Sequence, residues 1–380
     1  MDSNKGTLKI EGTIQELLVL FAYAILVIYR ILKSTTIGLN DGGITYLIVM
    51  AILTVSIFQM KITLNSLACI VIICPIIILS VLNSGEPVIP IITLLIIGSR
   101  YINFDRFVKL SVRIVVPLVC IAVLLAILGL LQDTTNVRNL HGAVVVCHGL
   151  GFNHSSALPT YYCYLFLSYG YLRRGNISKL NILLWALGGY LIYRICGERL
   201  RFYLLIFACV LFFFLKLFES EKISMLKKIL SVILFPILST ITLLLGYFYI
   251  PSNPVMRALN IALSNRLYFQ NYTFQNFGLK LLGQSLNMGL GVLGMEGNEG
   301  YYYLDSGFTY IFAIYGLIIG ALIVLIYTAG IRKAYKNNCN ALFVWFVCVA
   351  IDAVVGNQLL SVWICPIMLV PFCVVEPTNE

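Results

Sequence analysis

Long apolar runs separated by short polar stretches set the pattern of this chain. Twelve such runs lie at about 14–33, 44–60, 63–82, 87–99, 110–131, 157–172, 180–195, 202–218, 229–250, 307–329, 341–358 and 360–375. A helix needs roughly 20 apolar residues to cross about 30 Å of hydrocarbon. Backbone groups in lipid must also be satisfied within the segment that carries them. The pattern therefore predicts an all-α polytopic membrane protein with about 12 transmembrane helices. No run alternates with the period of a membrane β-barrel. The fourth run is short and holds Pro87 and Pro90, so it is expected to tilt or to be partly re-entrant. The last two runs are separated only by Gly356, Asn357 and Gln358 and read either as two spans or as one kinked element. The first run follows the polar stretch 1–13 and is too long for a signal-peptide core, so it is expected to stay as an anchor.

Composition agrees with this pattern. Of 380 residues, 60% are hydrophobic and 11% charged, and the mean hydropathy is +0.94. Soluble domains run near a quarter charged and less than half apolar. A soluble enzyme, a disordered chain and a nucleic-acid-binding domain are excluded, and no nucleic-acid partner is expected. The net charge of +10 reads instead as an orientation signal, because cytoplasmic loops are enriched in Lys and Arg. With both termini cytoplasmic, seventeen of the 26 basic residues fall inside. The other nine, Arg30, Lys33, Arg138, Arg194, Arg199, Arg201, Arg257, Arg266 and Lys280, fall outside. Arg30 and Lys33 are the main dissent from that orientation. The outside set is mostly Arg, whose fixed fork of donors suits phosphate. A cell (plasma or inner) membrane location follows, with any active site facing outside.

The eleven cysteines lie mostly in or near the runs and form no CxxC. They read as small buried hydrophobes rather than a disulfide framework. His141, His148 and His154 share one outside loop, at spacings that match no zinc motif. No metal and no cofactor are expected. Two outside segments are long enough to hold chemistry, since long ordered loops are usually functional. They divide the chain into 1–250, with helices 1–9 and the loop 132–156; the large loop 251–306; and 307–380, with helices 10–12. In the large loop, Asn253 can cap a helix and Pro254 suits its first turn. Met256, Leu259, Leu263 and Leu267 recur at helical spacing, with Arg257 and Arg266 flanking the stripe, as in a helix lying on a membrane surface. The glycines from Gly283 to Gly300 form no nucleotide-binding fingerprint and are expected to serve tight turns.

Four segments together resemble the O-antigen polymerase/ligase family, specifically a Wzy-type polysaccharide polymerase. HGLGFNHSSAL at 148–158 is similar to the family's Gly-Phe-x-His-x-Asn stretch, with Ser156 at the Asn position. GERLRFYLL at 197–205 is similar to its Ser-Arg motif without the Ser, so Arg199 and Arg201 both remain open for that role. LNIALSNRLYF at 259–269 with LKLLGQSL at 279–286 is similar to the helix, Arg and turn of the family's large loop. YLDSGFTYIFAIYG at 303–316 resembles the Leu-Asp-Asn run, with Ser306 for Asn. The resemblance covers about 150–330 and implies a GT-C-like membrane glycosyltransferase. It implies a donor carried on polyprenyl diphosphate, with no nucleotide sugar and no metal. The implied partners are that lipid-linked oligosaccharide, the bilayer, and the flippase and chain-length regulator of the same pathway.

A diphosphate leaving group calls for preorganised cations near the membrane surface. Arg266 stands first by type and side, then Arg199 or Arg201, then Arg257; each has the alternative of an interfacial Arg packing its stem on apolar surface. Asp305 is the leading general base for an acceptor hydroxyl, and it also reads as the N-cap of the tenth span. His154 could orient sugar or phosphate. Glu198, Glu296 and Glu299 are further candidate bases. Tyr268, Tyr301, Tyr302 and Tyr303 read as an interfacial aromatic belt before sugar-stacking residues. Asp352 lies within a span, where carboxylates are costly and often functional, and the sequence names no partner for it. Two competing readings are a ligase that moves finished polymer and a flippase for lipid-linked saccharide. Residues 1–190 and 191–380 show no repeat of the kind transporters carry.

Overall fold

The computed structural model describes residues 4–39, 42–60, 64–140, 143–215, 221–295 and 298–376. The described chain is mostly helical. Its helices are α1 (Asn4–Ser34), α2 (Gly43–Phe58), α3 (Leu64–Ser84), α4 (Val88–Gly98), α5 (Phe104–Ile127), α6 (Ala157–Leu172), α7 (Lys179–Cys196), α8 (Arg199–Phe213), α9 (Glu221–Tyr247), α10 (Pro254–Ala262), α11 (Arg266–Asn276), α12 (Gly307–Ile314), α13 (Gly316–Lys336) and α14 (Asn340–Val355). Among the described residues, four segments are long and apolar enough to cross a membrane: Ile14–Ser34, Phe104–Ile127, Ile223–Tyr247 and Gly316–Lys336. Large apolar side chains stand exposed along several helices, among them Ile44, Leu82, Ile127, Leu191 and Leu226. Water does not tolerate so much contiguous apolar surface, whereas lipid does.

Two β-hairpins qualify the all-α expectation, and both lie in the loops. β1 (Thr135–Leu140) pairs antiparallel with β2 (Ala143–His148), with Thr135 opposite His148. β3 (Gly289–Met295) pairs antiparallel with β4 (Asn298–Tyr302), with an irregularity between Leu290 and Gly294. The loop 132–156 packs on the end of α1, where Thr36 donates its N–H to Gly151 at 2.9 Å and Asn153 to Ser34 at 2.9 Å.

The final run, 360–375, is not a helical span. It runs as turns with one 3-10 turn at Pro366–Leu369, and residues 361–370 are all buried. Buried non-helical backbone survives only where protein satisfies it. Here distant side chains do so. Tyr23 of α1 donates to the carbonyl of Val362 at 2.9 Å, and Ser111 of α5 to that of Trp363 at 2.9 Å. Tyr327 of α13 donates to that of Leu359 at 2.5 Å. The segment ends where Val374 donates to Ile102 and accepts from Phe104, both at 2.9 Å, in the α4–α5 connection.

The run 307–329 is likewise split, into α12 and α13. Gly316 has φ 91°, and a Cβ there would strike the backbone of Leu281, Leu282 and Gly283. The large loop inserts at this break: Gln284 donates to Ile314 at 2.9 Å, and Leu317 to Lys280 at 3.0 Å. Ser80 of α3 donates to Tyr315 at 2.9 Å from the other side. Arg30, the dissenting cation, is a half-buried helix residue rather than a loop charge. It lies 3.7 Å over the Trp363 ring and donates to Tyr46 Oη at 2.7 Å. Eight of the described cysteines are buried, but Cys74 and Cys120 are exposed, contrary to expectation.

Candidate active site

The C-terminal turn of α14 organises the site. A helix ends with carbonyls that its own backbone cannot satisfy, and here neighbouring elements supply the donors. Ser306 Oγ reaches the carbonyl of Ala353 at 3.3 Å, and the Gly307 N–H reaches that of Gly356 at 2.9 Å. Arg266 Nε donates to the carbonyl of Val355. A cation at a helix C-terminus is also favoured by the helix dipole.

Arg266 has a second such partner. The sequence predicts one amphipathic helix through Leu267, but the chain breaks at Ser264 and Asn265, with φ 55° and 64°. The break leaves Leu263 as the C-cap of α10 and makes Arg266 the first residue of α11. Arg266 Nη1 donates back to the Leu263 carbonyl at 3.1 Å. Its Nη2 lies 3.3 Å from Asp305 Oδ2. The guanidinium thus joins two helix ends and one carboxylate. Its side chain is 13% exposed, whereas that of Asp305 is 46% exposed.

Asp305 is not the cap of α12. Ser306 is the N-cap, accepting from the Thr309 N–H at 3.4 Å. Capping by Asn253 holds as expected, with its Oδ1 accepting from Val255 at 3.0 Å and Met256 at 3.2 Å. Met256, Leu259 and Leu263 are half-buried and Leu267 is buried, so the apolar stripe continues across the break. Asn260 braces the break by donating to Asn265 at 3.1 Å and accepting from the Tyr268 N–H at 3.1 Å.

Asp352, one turn before Val355, has the partner the sequence did not name. Arg201 Nη1 donates to its Oδ1, and Tyr164 Oη donates to its Oδ2 at 2.7 Å. The Arg201 and Asp352 side chains are 9% and 3% exposed. A buried charge is tolerable only when paired and hydrogen-bonded, and both conditions are met. Gly356 makes room for the pair: a Cβ there would fall on the Arg201 guanidinium and 2.8 Å from Asp352 Oδ1.

Arg199 and Arg201 therefore divide. Arg201 turns inward, while Arg199 turns outward and donates to Ser264 Oγ at 2.9 Å and to the Ile261 carbonyl at 3.1 Å. Arg257 and His154 are exposed. Glu198 is buried beside Arg201 in a crevice with Tyr162, Tyr193 and Phe202. His141 and Glu296 lie outside the described residues. Of the tyrosines, Tyr302 is buried in the loop core, hydrogen-bonded to Thr273 at 2.8 Å and stacked on Phe277, so it is not a belt residue. Tyr303 is 40% exposed.

The loop 132–156 carries a carboxylate the sequence reading passed over. Asp133 Oδ2 lies 2.6 Å from His148 Nδ1, and Oδ1 accepts from the Leu150 N–H at 2.8 Å. Burial pushes this carboxyl up, but hydrogen bonds with His148 and with the Leu150 and Gly149 N–H groups outweigh it and hold the carboxyl below the ordinary aspartate value. Tyr164 is a further residue that the sequence reading does not single out. The only sequence signal for Tyr164 was the unpartnered Asp352 itself. Comparison of the chain with protein-family models, with curated proteins and with solved structures returns no match.

Proposed function

We propose that the chain is a membrane glycosyltransferase of the Wzy kind, which extends a polysaccharide from lipid-linked repeat units on the outer side of a cell membrane. The observation that supports this reading is the convergence of Arg266 and Asp305 on the end of α14, braced from behind by the buried Arg201–Asp352 pair. It combines a preorganised cation and a half-exposed carboxylate, as transfer from a diphosphate carrier requires.

In the proposed reaction, the acceptor hydroxyl of a new repeat unit attacks the anomeric carbon of the growing chain. A C–O bond forms there as the C–O bond to the carrier diphosphate breaks, and the diphosphate leaves with the electron pair. Asp305 takes the hydroxyl proton. Arg266 faces the developing charge on the phosphate oxygens, and Arg199 and Arg257 extend the cationic surface along α8 and α10. Arg201 acts as a positioning residue, because both it and its partner Asp352 are buried, whereas Asp305 beside Arg266 is half-exposed.

The test is reconstitution in vesicles with an oligosaccharide on polyprenyl diphosphate. Ladder-like growth of lipid-linked chains supports the polymerase. Transfer of one finished chain to another acceptor would favour a ligase, and transbilayer movement without growth would favour a flippase.

A further inference from the structure

At the opposite end of α13 from the Gly316 break lies a cleft of about 500 Å³. Its walls are the α4–α5 connection, the last turn of α13 and the segment 371–375. Two cations line it, Arg100 and Lys333, together with Tyr101, Phe372 and Val374. Arg332 and Lys336, both exposed, extend the positive rim along α13.

The position of the cleft fits a bilayer surface. It sits where α5 begins and α13 ends, and both are long and apolar enough to span hydrocarbon. Tyr101 is 71% exposed and Val374 46% exposed, so apolar surface continues from the cations along the flank of the protein. Lys333 Nζ donates to the carbonyls of Pro371 at 3.2 Å and Cys373 at 2.5 Å. An ammonium has three donors, so this lysine can hold the wall of the cleft and still face an anion.

We propose that this cleft binds the phosphate headgroup of an anionic phospholipid, with an acyl chain lying along Tyr101 and Val374. Basic recesses between membrane helices recognise such headgroups through point charges at the interface. Phosphate is the chemistry recognised, and the apolar continuation of the cleft selects a lipid over free inorganic phosphate. The proposal is independent of the glycosyltransferase reading.

The full-length protein in detergent supplies the test. Its thermal unfolding is followed with added phosphatidylglycerol, phosphatidylcholine or inorganic phosphate, and retained lipid is counted by native mass spectrometry. Phosphatidylglycerol is expected to raise the unfolding temperature, with no comparable effect of the other two. Arg100→Gln is expected to weaken the apparent affinity about fivefold, the effect of one interfacial cation. Lys228→Gln, which removes an exposed lysine on α9, is expected to leave it unchanged. Equal stabilisation by phosphatidylcholine or by inorganic phosphate would overturn the proposal. So would an Arg100→Gln protein that is monodisperse and responds as the wild type does.

Discussion

Arg201 and Asp352 pair inside the helical bundle, with Tyr164 Oη donating to the second carboxylate oxygen at 2.7 Å. The pair ties α8 to α14 at the turn whose last carbonyls receive Arg266 and Ser306. Removing one partner of a buried pair leaves an uncompensated charge and costs about 3–5 kcal/mol, whereas replacing both with apolar residues is often neutral. Asp352→Ala is therefore expected to lower the unfolding temperature in detergent sharply. The double variant Arg201→Met, Asp352→Leu is expected to recover most of that loss without recovering polymer synthesis. A double variant as unstable as the single would show that the pair is not self-contained.

Arg266 makes three differently directed contacts, to Val355, Leu263 and Asp305. Lysine carries the charge but not the fork. Arg266→Lys is expected to keep membrane expression and lose at least about tenfold in polymer formed, a loss of the size expected when one preorganised donor is removed. Asp305→Asn is expected to match it, because the amide keeps the shape and loses the base. Polymer of normal length and amount from both variants would remove these residues from the site.

Much of this arrangement is legible in the sequence, and the remainder has identifiable causes. The apolar runs mark the helices, and Asn253 before Pro254 marks the start of α10, because both are local signals. The run 360–375 is apolar enough for a span, but its irregular backbone is satisfied by Tyr23 and Ser111, hundreds of residues away. No window on the sequence contains that information. The break at Ser264 and Asn265 escapes because Met256, Leu259, Leu263 and Leu267 keep helical spacing through it. Asp352 is conspicuous as a carboxylate within an apolar run, yet only the packing of α6, α8 and α14 identifies Tyr164 and Arg201 as its partners. The space that Gly356 leaves for that pair has no sequence signal.

Asp133 fastens the β1–β2 hairpin to the turn at Leu150, and its carboxyl is held below the ordinary value. A carboxyl of this kind adds stability that is complete above its unfolded pKa of about 3.9 and is lost as pH falls through the lower folded value. Amide hydrogen exchange across 145–152 is expected to be insensitive to this group from neutral pH down to about 5 and to accelerate in stronger acid. Asp133→Asn is expected to remove the acid-dependent step and raise exchange at neutral pH. Unchanged protection in that variant would mean the hairpin is held by other contacts.

The central claim is that glycosidic bonds form here at the expense of a diphosphate carrier. Its most direct measurement uses reconstituted protein and a repeat unit on radiolabelled polyprenyl diphosphate, with released carrier and new glycosidic bonds quantified in the same sample. One polyprenyl diphosphate released for each bond formed, with chains growing as a ladder, is the predicted result. Carrier moved across the bilayer with neither release nor bond formation, or released without chain growth, would contradict it.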